Sequence, residues 1–164
     1  MTEFKFLQKF EGSTLKLAFE GSIDEDAKFP LVDTSRIEKV IIDLNGIRAI
    51  NSVGIREWLT WIRAFGAKAE VVFDRCPKSI VFQLNMVDGF LPPKATVSSF
   101  FVPYFCDKCG YEGSHLLSVG KDVVATAKGI VINFDAKSKA GCTQEPCEIE
   151  MDVTEAKYFQ FLKR

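Results

Sequence analysis

Between residues 40 and 89, two short β-branched runs alternate with two segments of helical period, and this succession limits the possible folds more than any other feature of the chain. The run Val40-Ile41-Ile42-Asp43-Leu44 shows no clean alternation and reads as a strand buried on both faces of a sheet. From Gly54 to Phe65, Ile55, Trp58, Leu59, Ile62 and Phe65 recur at helical spacing, while Arg56, Glu57, Thr60 and Arg63 fill the opposite side. Val71-Val72-Phe73 predicts another buried strand. Pro77 then suits the first turn of a helix carrying Ile80, Val81, Leu84 and Val87, stopped by Gly89 and Pro92-Pro93. Alternating strands and helices imply an α/β layer with mostly parallel pairing. Before this unit, the alternation around a Glu11-Gly12-Ser13 turn predicts a hairpin over the first twenty residues, each strand with one buried face. After it, the aromatic-rich stretch Ala95 to Phe105 reads as a last strand of the same unit.

The 164 residues are 47% hydrophobic and 26% charged, which fits one globular domain with a small appendage and excludes disorder. Lys and Arg number 21 against 22 acidic residues, so no basic excess favours phosphate contact, and nucleic acid is not an expected partner. No apolar run approaches the roughly 18 residues that would cross a bilayer, so no membrane association is expected. Residues 1–10 lack the unbroken apolar stretch of a secretory leader. The expected location is the cytoplasm, where thiols stay reduced.

The stretch from Asp43 to Ile55 runs from the central strand through a loop into the Trp58 helix and sets Ser52 at the helix N-terminus. Unsatisfied N–H groups and the helix dipole there favour a negative group, so a phosphate on Ser52 fits with little distortion. Asn51 and Ser52 also suit a plain helix cap, worth about 1 kcal/mol. Trp61 falls at the edge of the apolar stripe, and Arg48, Asn51, Ser52, Arg56 and Trp61 are candidates for one partner-recognition face. The competing reading makes Trp61 core and the arginines a solvated surface.

These residues resemble the STAS domains, best known as bacterial anti-sigma-factor antagonists. The resemblance lies in Asp43-Leu44-Asn45-Gly46-Ile47 followed by Ile50-Asn51-Ser52-Val53-Gly54-Ile55, similar to that family's "DLSxV" strand end and "(I)DSxG(L)" phosphorylation loop. Leu17 to Asp24, Val71 to Phe73 and the Pro77 helix ending in Gly89-Phe90 extend the similarity over roughly residues 13 to 104. It implies a regulatory domain that binds a kinase or anti-sigma-type protein, gated by phosphorylation of the serine that maps onto Ser52. Two features depart from the pattern. Asn51 stands where switch members carry aspartate, and the interval from Asp24 to Val40 has room for only a short first helix.

Toward the C-terminus, Cys106-Asp107-Lys108-Cys109-Gly110 is a C-x-x-C-G knuckle, and Cys142 and Cys147 form a second pair with four residues between. Two close-spaced thiol pairs on separate turns match the needs of tetrahedral zinc, and together they resemble a zinc ribbon with strands at 123–125 and 130–134 between the pairs. Four thiolates leave no open coordination position, so such zinc would be structural. Thiol exchange by Cys106 and Cys109 is an alternative use of the motif, iron is an alternative metal, and His115, the single histidine, could replace one thiolate. From Phe105 to Met151 there are five lysines, seven acids and no arginine, which disfavours nucleic acid for this module as well. Cys76 reads as a buried spectator, and residues 154–162 as a short terminal helix packing back onto the body.

No Walker loop, dinucleotide fingerprint or Ser-His-Asp set is present, so no catalysis is expected. The expected architecture is an α/β domain over 1–104, a STAS-like mixed sheet with packed helices, then a small β-rich zinc-ribbon-like module over 105–164. The expected function is non-enzymatic binding of a protein partner. Its alternatives are a thiol-redox or metal-handling protein using the clustered cysteines, and a constitutive subunit or ligand-sensing module without a phosphoswitch.

Overall fold

The computed structural model describes residues 2–65, 68–142 and 145–163. The hairpin forms as β1 (Lys5–Glu11) and β2 (Thr14–Ile23), joined by a two-residue turn whose Gly12 takes φ +62°. A left-handed first turn position followed by a right-handed one matches the twist of the flanking strands, and glycine supplies it without strain. β3 (Lys39–Ile50), β4 (Glu70–Asp74) and β5 (Thr96–Val97) follow, and the five strands lie side by side in chain order. β2 to β5 are mutually parallel and β1 is antiparallel to β2, as the alternation of strands and helices implied.

Helix α1 (Ser52–Ile62) links β3 to β4, and α2 (Lys78–Met86) links β4 to β5. Both crossovers move the same way along the sheet, so their right-handedness sets both helices on one face. The sheet is therefore covered on one side. Val40, Ile42 and Leu44 are fully buried under the helices, whereas Ile41 and Asp43 between them are half-buried on the open face. This corrects the reading of residues 40–44 as a strand buried on both faces: Asp43 was the position at which the hidden alternation surfaced. β1 departs from expectation too, with every residue exposed, because it is an edge strand beyond the reach of both helices.

No helix spans β2 and β3. The connection over 24–38 holds one 3-10 turn, Thr34–Arg36, and is fastened by aromatic contacts instead. Phe29 stacks on Trp61 at 5.0 Å between centroids, and the Trp61 Nε1–H donates to the Pro30 carbonyl at 2.9 Å. Beneath them Trp58 stacks on Phe90, edges onto Phe73 and donates its Nε1–H to the Phe90 carbonyl at 3.1 Å. Trp58 is wholly buried and Trp61 half-buried, and each satisfies its donor, which removes the cost of enclosing a polar N–H.

The stretch Ala95 to Phe105 divides. After β5 the chain turns at Ser98, whose hydroxyl donates to Asp74 at 2.7 Å, and β6 (Ser99–Cys106) enters a second sheet. There it pairs antiparallel with β7 (Tyr111–Ser118) and, on its other side, with β10 (Glu150–Met151). A separate hairpin of β8 (Val123–Thr126) and β9 (Gly129–Ile132) occupies the span where the ribbon strands were expected, and a short helix α3 (Ala136–Ala140) follows. The terminal helix is shorter than its apolar pattern suggested: α4 (Glu155–Tyr158) passes into a 3-10 turn, Gln160–Lys163. It packs back as expected. Phe159 and Phe161 edge onto Phe100, and the Tyr158 hydroxyl donates to the Phe101 carbonyl at 2.6 Å. One buried apolar cluster runs from Leu15 and Phe19 through Phe100, Leu117 and Phe161, and β6 passes through residues 104 and 105 without interruption.

Candidate functional site

Cys106 ends β6, and the knuckle turns at once into β7, whose first residue Tyr111 pairs with it. The Gly110 N–H donates to the Cys106 carbonyl at 2.9 Å, and Gly110 takes φ +74°, so a glycine is needed for the return. Cys142 follows α3, which Asp135 caps by accepting the Ser138 N–H at 3.0 Å and which ends at Gly141 with φ +68°. Cys147 precedes β10, and the pairing of Glu150 with Phe105 and Met151 with Tyr104 brings it back beside Cys106. Thr143 and Gln144, inside the second pair, lie outside the described residues.

The four Sγ atoms all lie within 4.8 Å of one another, and Cys109 and Cys142 are 3.6 Å apart. A tetrahedron with arms of about 2.3 Å has edges of about 3.8 Å, whereas a disulfide would need about 2 Å. All four are free thiols; Cys106, Cys142 and Cys147 are buried and Cys109 is exposed. The Cys109 and Lys108 N–H groups pull the Cys106 thiol down to about 6, with the neighbouring sulfurs adding to the effect. Burial pushes Cys142 up strongly, and Cys147 also rises for that reason. Four sulfurs this close, three of them buried, cannot all ionise beside one another without a cation to balance them. The donor set therefore fits a thiophilic divalent metal and leaves it no open position.

His115 is not among these sulfurs. Its Nε2 is 2.7 Å from the Tyr111 hydroxyl, and its ring packs among Tyr104, Tyr111 and Phe134. Cys76 is wholly buried at the end of β4, where enclosure and the nearby Asp74 and Asp43 carboxylates raise its thiol far above the ordinary range.

The Ser52 loop lies at the far end of β3. Asn51 is the N-cap of α1: its Oδ1 accepts the Gly54 N–H at 2.8 Å, and its backbone N–H donates to the Ile23 carbonyl at 3.1 Å. Ser52 is the first helical residue and is exposed. Arg56, one turn along the same side of α1, is exposed, as is Arg48 in β3, and neither forms an ion pair among the described residues. Trp61 stands apart from them, half-buried on Phe29 with its donor occupied.

The Asn51 amide also donates through Nδ2 to Glu25 Oε2 at 2.8 Å, which holds the Glu25 carboxyl below its usual range. An aspartate at 51 would confront this carboxylate, so the asparagine and Glu25 form a matched pair. Glu25 lies 26 residues upstream, and no local pattern pointed to it. The Asp43–Arg75 ion pair on the open face was equally hidden; it raises the Arg75 guanidinium further, and Arg75 takes φ +51°.

Among the described residues no helix is long and apolar enough to cross a membrane. Comparison with protein-family models, curated proteins and solved structures found no match to this chain.

Proposed function

We propose that this chain is a non-enzymatic, STAS-like binding module whose C-terminal part is ordered by one structural zinc ion, held by Cys106, Cys109, Cys142 and Cys147. The convergence of four free thiols within 4.8 Å, three of them buried, carries the reading. Zinc suits an all-sulfur tetrahedral set, and a set without an open position holds parts together rather than activating water. The partner is a protein met by the α/β domain, in a reducing cytoplasm, and no nucleic acid is involved. Asn51 serves as a cap, which is consistent with a constitutive module.

The metal assignment is tested by elemental analysis and chelator competition on protein purified without chelator. One tightly held zinc per chain, lost in Cys142→Ser, is the expected result. Iron in its place would change the metal, and a readily surrendered ion or an easily oxidised Cys106–Cys109 pair would assign the cluster to metal handling or thiol exchange.

A second reading, phosphorylation of Ser52 as a gate, is favoured by the exposure of Ser52 at the helix start with Arg56 one turn away. Affinity capture with wild-type, Ser52→Ala and Ser52→Asp baits separates the two. Equal capture by all three supports the constitutive module, and loss with Ser52→Asp alone supports the gate.

A further inference from the structure

Among the described residues no strand pairs with the outer edge of β1, which ends the five-stranded sheet. Among the described residues eight large apolar side chains are exposed; three of them, Phe6, Leu7 and Phe10, belong to this strand, and a fourth, Leu31 of the 24–38 connection, lies beside it. Leu31 is fully exposed and lines the same groove as Phe10. Such an edge is ordinarily blunted by bulges, proline or charged side chains; β1 pairs with β2 without a register shift from Lys5 to Glu11, and its charges, Lys5, Lys9 and Glu11, are of both signs and so can complement a second copy.

We infer that β1 is a homodimerisation edge, pairing antiparallel with β1 of a second copy about a two-fold axis at Gln8. Three independent features converge on this register. The first is hydrogen-bond parity. In a two-residue hairpin the closing pair, here Glu11 and Thr14, bonds to itself, so Lys5, Leu7 and Lys9 also face inward to β2. Phe6, Gln8 and Phe10 therefore turn their N–H and C=O groups outward, and a two-fold at Gln8 matches Gln8 with Gln8 and Phe6 with Phe10 of the second copy, all as bonded pairs.

The second is charge. In this register Lys5 stands opposite Glu11 of the second copy, twice by symmetry. A slip of the axis to Leu7 opposes Lys5 to Lys9, and a slip to Lys9 opposes Lys9 to itself. Like charges directly opposed across strands are destabilising. Glu11 already bridges Lys9 at 2.8 Å and Lys16 at 2.6 Å in its own chain, so its carboxylate faces the open side of the sheet where Lys5 of the second copy arrives.

The third is apolar continuity. Phe6 and Phe10 lie across from Phe19 and Leu15 of β2, so they extend the helix-covered face to the edge. Facing Phe10 and Phe6 of the second copy, they become cross-strand aromatic pairs within a continuous ten-stranded sheet. Leu7 meets Lys9 on the open face, whose aliphatic stem covers it.

The test is light scattering and sedimentation of the full, metal-loaded chain over a range of concentrations. The expected result is a dimer that dissociates on dilution. Gln8→Pro removes an outward N–H and no bond of the hairpin itself, so it should give a monomer with unchanged far-UV dichroism. Lys5→Glu should weaken dimerisation about tenfold; it also decides the matter if Gln8→Pro does not fold. A wild-type chain monomeric throughout overturns the proposal and leaves the edge to a foreign strand. A dimer indifferent to Lys5→Glu, and to Gln8→Pro where that variant folds, overturns it in favour of another interface.

Discussion

At the scale of single residues, the glycines and the asparagine of the loop have packing reasons that a motif alone does not supply. A Cβ on Gly54 would sit 2.0 Å from the Ile23 carbonyl oxygen, and one on Gly46 would sit 2.5 Å from that of Phe19. Both obstacles are backbone and cannot swing aside. Gly54→Ala is accordingly expected to destabilise by about 3 kcal/mol or more in urea unfolding, whereas Asn51→Ala, which loses the cap and the exposed hydrogen bond to Glu25 but meets no backbone, should lose about 1–2 kcal/mol. The Glu25–Asn51 contact adds a pH signature. Because the folded Glu25 carboxyl is depressed below its ordinary 4.5, its contribution is present above that value and fades as pH falls through the lower folded one. NMR titration of Glu25 should therefore show its midpoint rising toward 4.5 in Asn51→Ala; an unchanged midpoint would mean that the amide does not set it.

At the scale of elements, the two halves differ in what orders them. The five-stranded sheet with α1 and α2 encloses Trp58, Phe73, Leu15 and Ile42 completely, within an apolar core that continues to Phe100 and Phe161. The knuckle, α3 and the return to β10 instead meet around three buried cysteines with little beside them but Tyr111 and Ala140. There the proposed metal would take the place of the missing apolar interior. Chelation is expected to raise hydrogen exchange in β10, the start of β7 and the knuckle, while β2 to β4 stay protected. Uniform loss of protection would show that the metal supports the whole fold. The 24–38 crossover is the converse case, for the Phe29 and Trp61 pair secures it with no helix and no metal.

Across the whole molecule, the terminal segment ties the two sheets together. Asn85 of α2 donates to the Tyr158 carbonyl at 2.9 Å and accepts the Phe161 N–H at 2.7 Å, while Phe161 closes over Phe100. Phe161→Ala is expected to cost about 3–5 kcal/mol. Both tryptophans lie in α1, so their fluorescence reports the first sheet; a shift of that transition would show that damage at the C-terminus reaches it through the shared core, and an unmoved transition would show two independent bodies. The sequence by itself determined the order of elements from β1 to α2, the faces of those two helices, the cap at Asn51 and the candidacy of four cysteines, because periodicity, capping and ligand spacing are written within a few residues of one another. Tertiary structure alone decided which sheet face is bare, where the chain leaves one sheet for the next at Ser98, and that Glu25 answers Asn51. It also brought Cys142 and Cys147 to Cys106. Those outcomes depend on contacts between residues 24 to 41 positions apart, and which distant surfaces meet is set by packing the entire chain at once.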